Sequence, residues 1–224
     1  MPKINILDSS VYNRISAGEV VQQPASIVKE LLENSIDAGA DNITIEILDG
    51  GIKEICVIDN GIGISKSDIK NAFLPHATSK VKDVSDLDSI STLGFRGEAL
   101  ASIASVSLVE VISKTEDDEL GVKLTIQGGE YGDMEECARN TGTTMRVQNI
   151  FYNTPARAKF LKKTYLEEAD VTTVVQKTIF SNPNVAFTYV VDDKIVYKTD
   201  GEGLNSAIKS VYGYAVHQDL LPVE

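Results

Sequence analysis

Residues 42–58 constrain the fold of this chain more than any other stretch. NITIEIL (42–48) puts Ile43, Ile45 and Ile47 at every second position, the period of a strand with one buried face. Asp49-Gly50-Gly51 reads as a tight turn. IKEICVI (52–58) then becomes almost continuously apolar, which predicts a strand whose end is buried. Ahead of this pair, Pro24 suits the first turn of a helix over 24–37, and Gly39 can close it. Residues 11–22 are only weakly helical, with Gly18 interrupting them.

Further along, Ser65-Lys66-Ser67-Asp68 resembles a capping box, predicting a short helix that carries Ile69, Ala72 and Phe73. Residues 76–92 form a polar stretch with few large apolar side chains, a long loop of the kind that is functional or disordered. A short helix is predicted over 97–105, and strands at about 106–113, 121–127, 143–150, 185–191 and 194–198. Two acidic loops, 116–119 and 130–136, separate some of these strands. Val171, Val174, Val175, Thr178 and Ile179 set a helix over 167–181. Strands thus pair in sequence instead of alternating strictly with helices. This order predicts an α+β fold, a two-layer sandwich with a mixed, mostly antiparallel sheet and helices on one face. Asp200-Gly201-Glu202-Gly203 reads as a linker, and LNSAIKSVYG as the first helix of a second, severed domain. The expected division is 1–200 and 201–224.

Several function classes drop out. No Gly-Lys pair exists, so there is no P-loop. Gly61-Ile-Gly63 starts like a dinucleotide fingerprint, but its third glycine position is Lys66. His76 and His217 are the only histidines, and neither GxSxG nor HExxH occurs. No apolar run approaches the ~18 residues of a membrane span, and the N-terminus lacks a signal-peptide core. Cys56 and Cys137, without a CxxC, fit a reducing, cytosolic setting and make a disulfide scaffold or zinc site unexpected. The net charge of −12 argues against tight nonspecific DNA binding by this chain alone.

Three groups of residues suggest chemistry. On the first helix, Glu33, Asn34 and Asp37 all fall within about 60° of Glu30 at 100° per residue, opposite Ile27, Val28, Leu31, Leu32 and Ile36. Carboxylates and an amide along ~10 Å of one helix suit hard-cation and water chemistry, although a solvated face would look the same. Asp59-Asn60-Gly61-Ile62-Gly63 follows a buried strand. It is either a plain turn or a carboxylate that accepts from an exocyclic amine, with glycines letting a flat ligand approach. Gly94-Phe95-Arg96-Gly97 precedes a helix, where bare amides form an anion site, and Thr78-Ser79-Lys80 adds hydroxyls and a cation.

In order, KELLENSIDAGA (29–40), DNGIGI (59–64), HATSK (76–80), GFRGEALASI (94–103) and GTTMRVQNIFYNTPARAKFL (142–161) resemble the N-terminal ATPase region of the MutL family of DNA mismatch-repair proteins. The resemblance runs over about residues 4–224. It places the chain in a superfamily (GHKL) with gyrase B, the Hsp90 chaperones and sensor histidine kinases, and implies their two-layer ATPase fold. GFRGEAL and FYNTPAR favour the MutL branch over a chaperone, topoisomerase or kinase.

The resemblance implies ATP and ADP as ligands and magnesium as cofactor. Glu30 corresponds to the general base, and Asn34 to the magnesium ligand. Asp59 corresponds to the acceptor of the adenine amine, Gly63 lines the base pocket, and Thr143 reaches adenine through water. Residues 76–92 correspond to a mobile lid with Thr78, Ser79 and Lys80 near the phosphates. Arg96, Gly97, Glu98, Ala99 and Leu100 correspond to the phosphate-binding helix start. ATP is expected to close the lid and pair two N-terminal regions, with Ile15–Val20 contributing to the dimer. The implied partners are DNA, a MutS-type mismatch sensor, and a downstream nuclease and helicase, in the cytoplasm and at the nucleoid. A second-domain lysine expected at the terminal phosphate is missing here, so slow hydrolysis is expected. A nucleotide-sensing switch with negligible turnover is the alternative. The basic run Arg157, Lys159, Lys162 and Lys163 is either a solvated face or part of a DNA- or partner-facing surface.

Overall fold

The computed structural model describes residues 18, 20–75, 77 and 97–218. The chain starts with α1 (Pro24–Asp37), β1 (Asn42–Leu48), a 3-10 turn (Asp49–Gly51) and β2 (Glu54–Asp59). A second 3-10 turn (Asn71–Phe73) precedes α2 (Ala99–Ser105), β3 (Leu108–Lys114), β4 (Gly121–Gln127), β5 (Glu130–Cys137) and β6 (Gly142–Gln148). There follow α3 (Pro155–Ala158), α4 (Thr164–Ser181), β7 (Ala186–Val191), β8 (Lys194–Lys198) and α5 (Leu204–Gln218).

The strands form one sheet in the order β5-β4-β3-β6-β2-β1-β7-β8. Every pairing is antiparallel except that of β1 with β7. This is the α+β sandwich with a mostly antiparallel sheet that the order of elements predicts.

Side-chain alternation decides which face the helices cover. Ile43, Ile45, Ile47, Ile55, Val57, Val109, Val111, Leu124, Val147, Phe187 and Tyr189 all lie on one face and are buried. α1 sets Ile27, Val28, Leu31 and Leu32 into that face, and α4 sets Val171, Val175 and Ile179. Each such side chain contributes roughly 1.5–3 kcal/mol by leaving water. On the reverse face the same alternation presents Glu54, Glu110, Lys123 and Arg146. They neutralise one another: Lys123 Nζ lies 2.5 Å from Glu110 Oε2, and Arg146 Nε lies 3.7 Å from Glu54 Oε1.

Two expectations need correction. Residues 130–136 are not a loop but most of β5, paired with β4 from Gly121↔Cys137 to Gln127↔Glu130. The strand is an edge, so its stability comes from the backbone ladder on one side while its side chains stay in water. Acidic residues there hinder further pairing with another chain. Residues 65–68 form one half of the capping box, with Asp68 N–H on Ser65 Oγ at 3.3 Å, while the Asp68 carboxylate accepts from the Ser65 hydroxyl at 3.1 Å rather than from the Ser65 N–H. The cap opens turns that end in the 3-10 segment rather than an α-helix. Pro75 leaves no room for another turn. Ile69 and Phe73 are buried all the same.

The linker over 200–203 is held by Asp200, which accepts from Glu202 N–H at 3.0 Å and from Ser206 Oγ at 2.7 Å. The first half of α5 lies on α4, burying Ala207 and stacking Tyr212 on Phe180 at 5.5 Å between ring centroids. Gly213, at φ 83°, breaks the helix there.

Candidate functional site

The polar stripe of α1 survives in three dimensions, with one pair already matched. Lys29 Nζ is 2.8 Å from Glu33 Oε1 and 3.9 Å from Glu30 Oε1. The Glu33 hydrogen bond, against a smaller burial effect, raises the Lys29 ammonium above its usual range. Glu33, itself half-buried, is thereby committed to an ion pair with the more exposed Lys29. Glu30, with 27% of its side chain exposed, stands about 6 Å along the helix from half-buried Asn34.

One residue beyond Asn34, Ser35 links this helix to the end of β2. Its hydroxyl lies 3.0 Å from Asp59 Oδ2 and 3.1 Å from the Leu31 carbonyl. The other carboxylate oxygen of Asp59 accepts the Gly61 N–H at 3.0 Å and the Thr143 N–H at 3.1 Å. A carboxylate offers about four acceptor positions. Among the described residues, three are used by α1, the glycine turn and β6, which leaves one on Oδ2. Asp59 is 9% exposed, so any acceptor capacity it has left is sheltered from bulk water.

The frame extends to Ser113 at the inner end of β3. Its hydroxyl contacts Thr143 Oγ1 at 2.9 Å and the Gly142 carbonyl at 3.1 Å, and accepts the Ile64 N–H at 2.7 Å. Gly63, Asp59 and Thr143 are thus tied through one serine on a third strand. Behind the sheet, the Arg139 guanidinium donates to Thr144 Oγ1 and lies 3.4 Å from the Asp59 carbonyl. Burial lowers its pKa, and the Asp59 charge opposes that shift.

Glycine serves this frame for a reason other than the expected approach of a flat ligand. At Gly63, φ is 75°, and a Cβ would stand 2.1 Å from the Lys114 carbonyl oxygen. At Gly142, φ is 124°, and a Cβ would stand 2.1 Å from the Asp59 carbonyl oxygen. Both positions demand glycine because two protein backbones meet there.

Gly97, Glu98, Ala99 and Leu100 start α2. Glu98 is the N-cap, and its side chain makes no capping bond. α2 packs on the Asn71–Phe73 turn and on β3 and β4. Thr78, Ser79, Lys80 and Arg96 lie outside the described residues, as do most of the expected lid and the segment 15–17. An apolar groove of about 310 Å³, lined by Phe180, Leu204, Ile208, Tyr212 and Val216, lies elsewhere, between α4 and α5. Its lining is almost wholly apolar, unlike the convergent polar groups that orient a nucleotide.

The sequence reading passed over Ser35, Ser113 and Arg139. For the serines a signal existed: each is a hydroxyl on a face whose other members are apolar. Ser113 follows Val109 and Val111 on the inner face of β3, and Ser35 lies in the buried arc of α1. Arg139 gave no such signal, because it sits in the turn before β6.

Residues 22–145, more than half of the chain, match the family described as histidine kinase-, DNA gyrase B-, and HSP90-like ATPase. The whole chain is 48% identical over 225 residues to the DNA mismatch repair protein MutL of Clostridium botulinum (strain Eklund 17B / Type B), covering 34% of that protein. It is 49% identical over 222 residues to MutL of Caldanaerobacter subterraneus, covering 99% of this chain and 38% of that protein. The chain therefore spans little more than a third of these relatives. Among solved structures, the Aquifex aeolicus MutL ATPase domain complexed with ADP superposes with a TM-score of 0.72 at 29% identity, over 86% of this chain and 70% of that one. The N-terminal domain of a DNA repair protein superposes with a TM-score of 0.76 at 32% identity, over 91% of this chain and 60% of that one. The chain belongs to the histidine kinase-, DNA gyrase B- and HSP90-like ATPase family and, within it, to the MutL branch.

Proposed function

We propose that this chain is the ATP-binding and ATP-hydrolysing N-terminal part of a MutL-type matchmaker of DNA mismatch repair. The observation that carries the reading is the framed carboxylate. Asp59 has one acceptor position left, sheltered, at a strand end, beside the helix that bears Glu30 and Asn34. An exocyclic amine is the ligand group that fits it. In this reading Thr143, whose hydroxyl is shared with Ser113, contacts the same base through water, and Gly63 forms the adjoining wall.

Among the described residues, no group of three or more His, Cys, Asp or Glu is placed to hold a metal on protein ligands alone. One amide oxygen, that of Asn34, fits magnesium only as a shared ligand, since that ion keeps several waters and takes phosphate oxygens. When bound, it would spread the charge that develops on the transferred phosphoryl group. Glu30 orients and deprotonates the attacking water from one turn earlier on the same helix. Arg96, Gly97, Glu98, Ala99 and Leu100 cradle the phosphates at the start of α2, with Thr78, Ser79 and Lys80 supplied by the closing lid.

ATP then favours a lid-closed state in which two N-terminal regions pair, and ADP release reopens it. Residues 201–224 are read as the start of a second domain. In the whole protein the output is an ATP-controlled clamp that engages DNA, a MutS-type mismatch sensor, and a nuclease and helicase, in the cytoplasm and at the nucleoid. No helix among the described residues is long and apolar enough to cross a membrane.

Equilibrium binding of a nonhydrolysable ATP analogue, with and without magnesium, tests the reading. Binding should strengthen with magnesium, and N34A should remove that gain while leaving the magnesium-free affinity in place. Binding that ignores magnesium in the unmutated chain would undo the metal assignment.

A further inference from the structure

The nucleotide site makes no use of the FYNTPAR stretch, yet the structure gives its arginine a defined place. β6 runs out of the site into a turn in which Phe151, at φ 64°, is 2% exposed. Its N–H donates to the Val106 carbonyl at 2.7 Å, and Ile150 N–H donates to the Ile52 carbonyl at 3.2 Å. The turn is thereby fixed to the far end of the sheet. Arg157, on α3, lays its guanidinium over the Phe151 ring, with Cζ 5.7 Å from the ring centroid. The backbone at Gly18 also lies against this guanidinium. A Cβ there would stand 2.2 Å from Arg157 Nη2 and 3.3 Å from Cζ. Two residues later the chain enters the core, where Val20 packs and Val21 is 2% exposed.

We propose that Arg157 anchors the chain ahead of α1: its guanidinium, set over Phe151, takes the space of a side chain at residue 18 and ties the backbone there to the FYNTPAR turn. A planar cation suits this role, because it can stack on a ring and press against bare backbone at once. Lysine offers a point charge without the flat face. The consequence for pairing rests on the reading above, in which this segment joins two copies. There the anchor sets how the segment is presented.

The test uses the 224-residue chain, R157M and G18A. Arg14 is a tryptic site four residues before Gly18, and cutting after it shortens the chain by a mass that is easily resolved. Losing the anchor should speed that cut about tenfold, since proteolysis follows the local opening of the segment. Cleavage at sites in the body of the fold should keep its rate. G18A, which leaves every native polar group in place, guards against a folding defect specific to R157M. Equal rates at Arg14 in all three proteins overturn the proposal. So does acceleration at all sites alike, which reports global unfolding. Self-association with the nonhydrolysable ATP analogue provides a second readout, expected to weaken in both variants. A faster cut at Arg14 with no nucleotide-driven pairing even in the parent chain upholds the anchor and refutes the pairing reading instead.

Discussion

Asp59→Asn separates the ligand role of this carboxylate from its structural role, because the amide can satisfy the protein but not an amine. In the parent, Oδ1 accepts the N–H groups of Gly61 and Thr143. The amide oxygen can keep both. The new NH2 group replaces Oδ2 and faces Ser35, whose hydroxyl can turn its proton to the Leu31 carbonyl, 3.1 Å away, and accept. No buried group is orphaned, so the stability cost should stay within about 1 kcal/mol. Toward a bound adenine the exchange puts donor against donor. Losing one charge-assisted hydrogen bond removes roughly 1.5–3 kcal/mol, a loss of about ten- to hundredfold in affinity. Asp59→Ala differs in kind. It strands two buried N–H groups at about 1–3 kcal/mol each and should destabilise the whole fold. Titration calorimetry with a nonhydrolysable ATP analogue, beside thermal melting, reads both quantities. An analogue with a carbonyl at the six-position gives the control, since D59N should narrow the preference between the two bases. An Asn variant that binds ATP as tightly as the parent, with the same base preference, would refute the assignment of Asp59.

Three further outcomes are expected. E30A should bind the ATP analogue normally and lose about a hundredfold or more in turnover, checked by a phosphate-release assay; unchanged turnover would remove Glu30 from the chemistry. G142A should cost about 2 kcal/mol, or roughly 4–8 °C in melting temperature, because it adds left-handed strain to a collision with the Asp59 carbonyl; at Gly39, where φ is 71° but no atom stands within 4 Å, G39A should cost about half as much. Burial pushes the Tyr189 phenol up to about 12, against a smaller opposing effect of its Thr172 hydrogen bond; the folded state therefore holds its proton where the unfolded chain has released it, and this stability is complete below pH 10 and is lost as pH rises toward 12, up to about 2.7 kcal/mol. Denaturation between pH 9 and 11.5 should show a steeper fall for the parent than for Y189F.

What was legible in the sequence follows from where the energy lies. α1 and the inner strands are held by their own side chains, so Ile43, Ile45 and Ile47, or Ile27 and Leu31, announce them. β5 is held by backbone bonds to β4, and its exposed Glu130, Asp133, Glu135 and Glu136 carry no periodicity to read. The parallel pairing of β1 with β7 joins residues some 140 positions apart, such as Ile45 with Tyr189, which no local pattern encodes. In the proposed site, Asp59 stands out by type, because a carboxylate at the end of a buried strand is costly to place without partners. Ser35 and Ser113 escaped notice because a small hydroxyl resembles a neutral core filler until its partner on another element is seen.

The two halves of the proposed nucleotide site differ in how far the fold prepares them. Asp59 is held from α1, from its own turn and from β6, while Ser113 on β3 ties the turn to Thr143. Gly63 and Gly142 allow those backbones to meet. A frame braced from four elements undergoes little ordering when a base arrives, so its contacts appear almost fully as affinity. Among the described residues, no side chain caps the start of α2. The seven residues of this helix lean on a 3-10 turn that directly precedes the residues expected to form the lid. Free energy from base recognition can thus be spent on positioning the phosphate half. That division is what a nucleotide-controlled switch requires: the base half binds ATP and ADP alike, and only contacts in the phosphate half distinguish the two states.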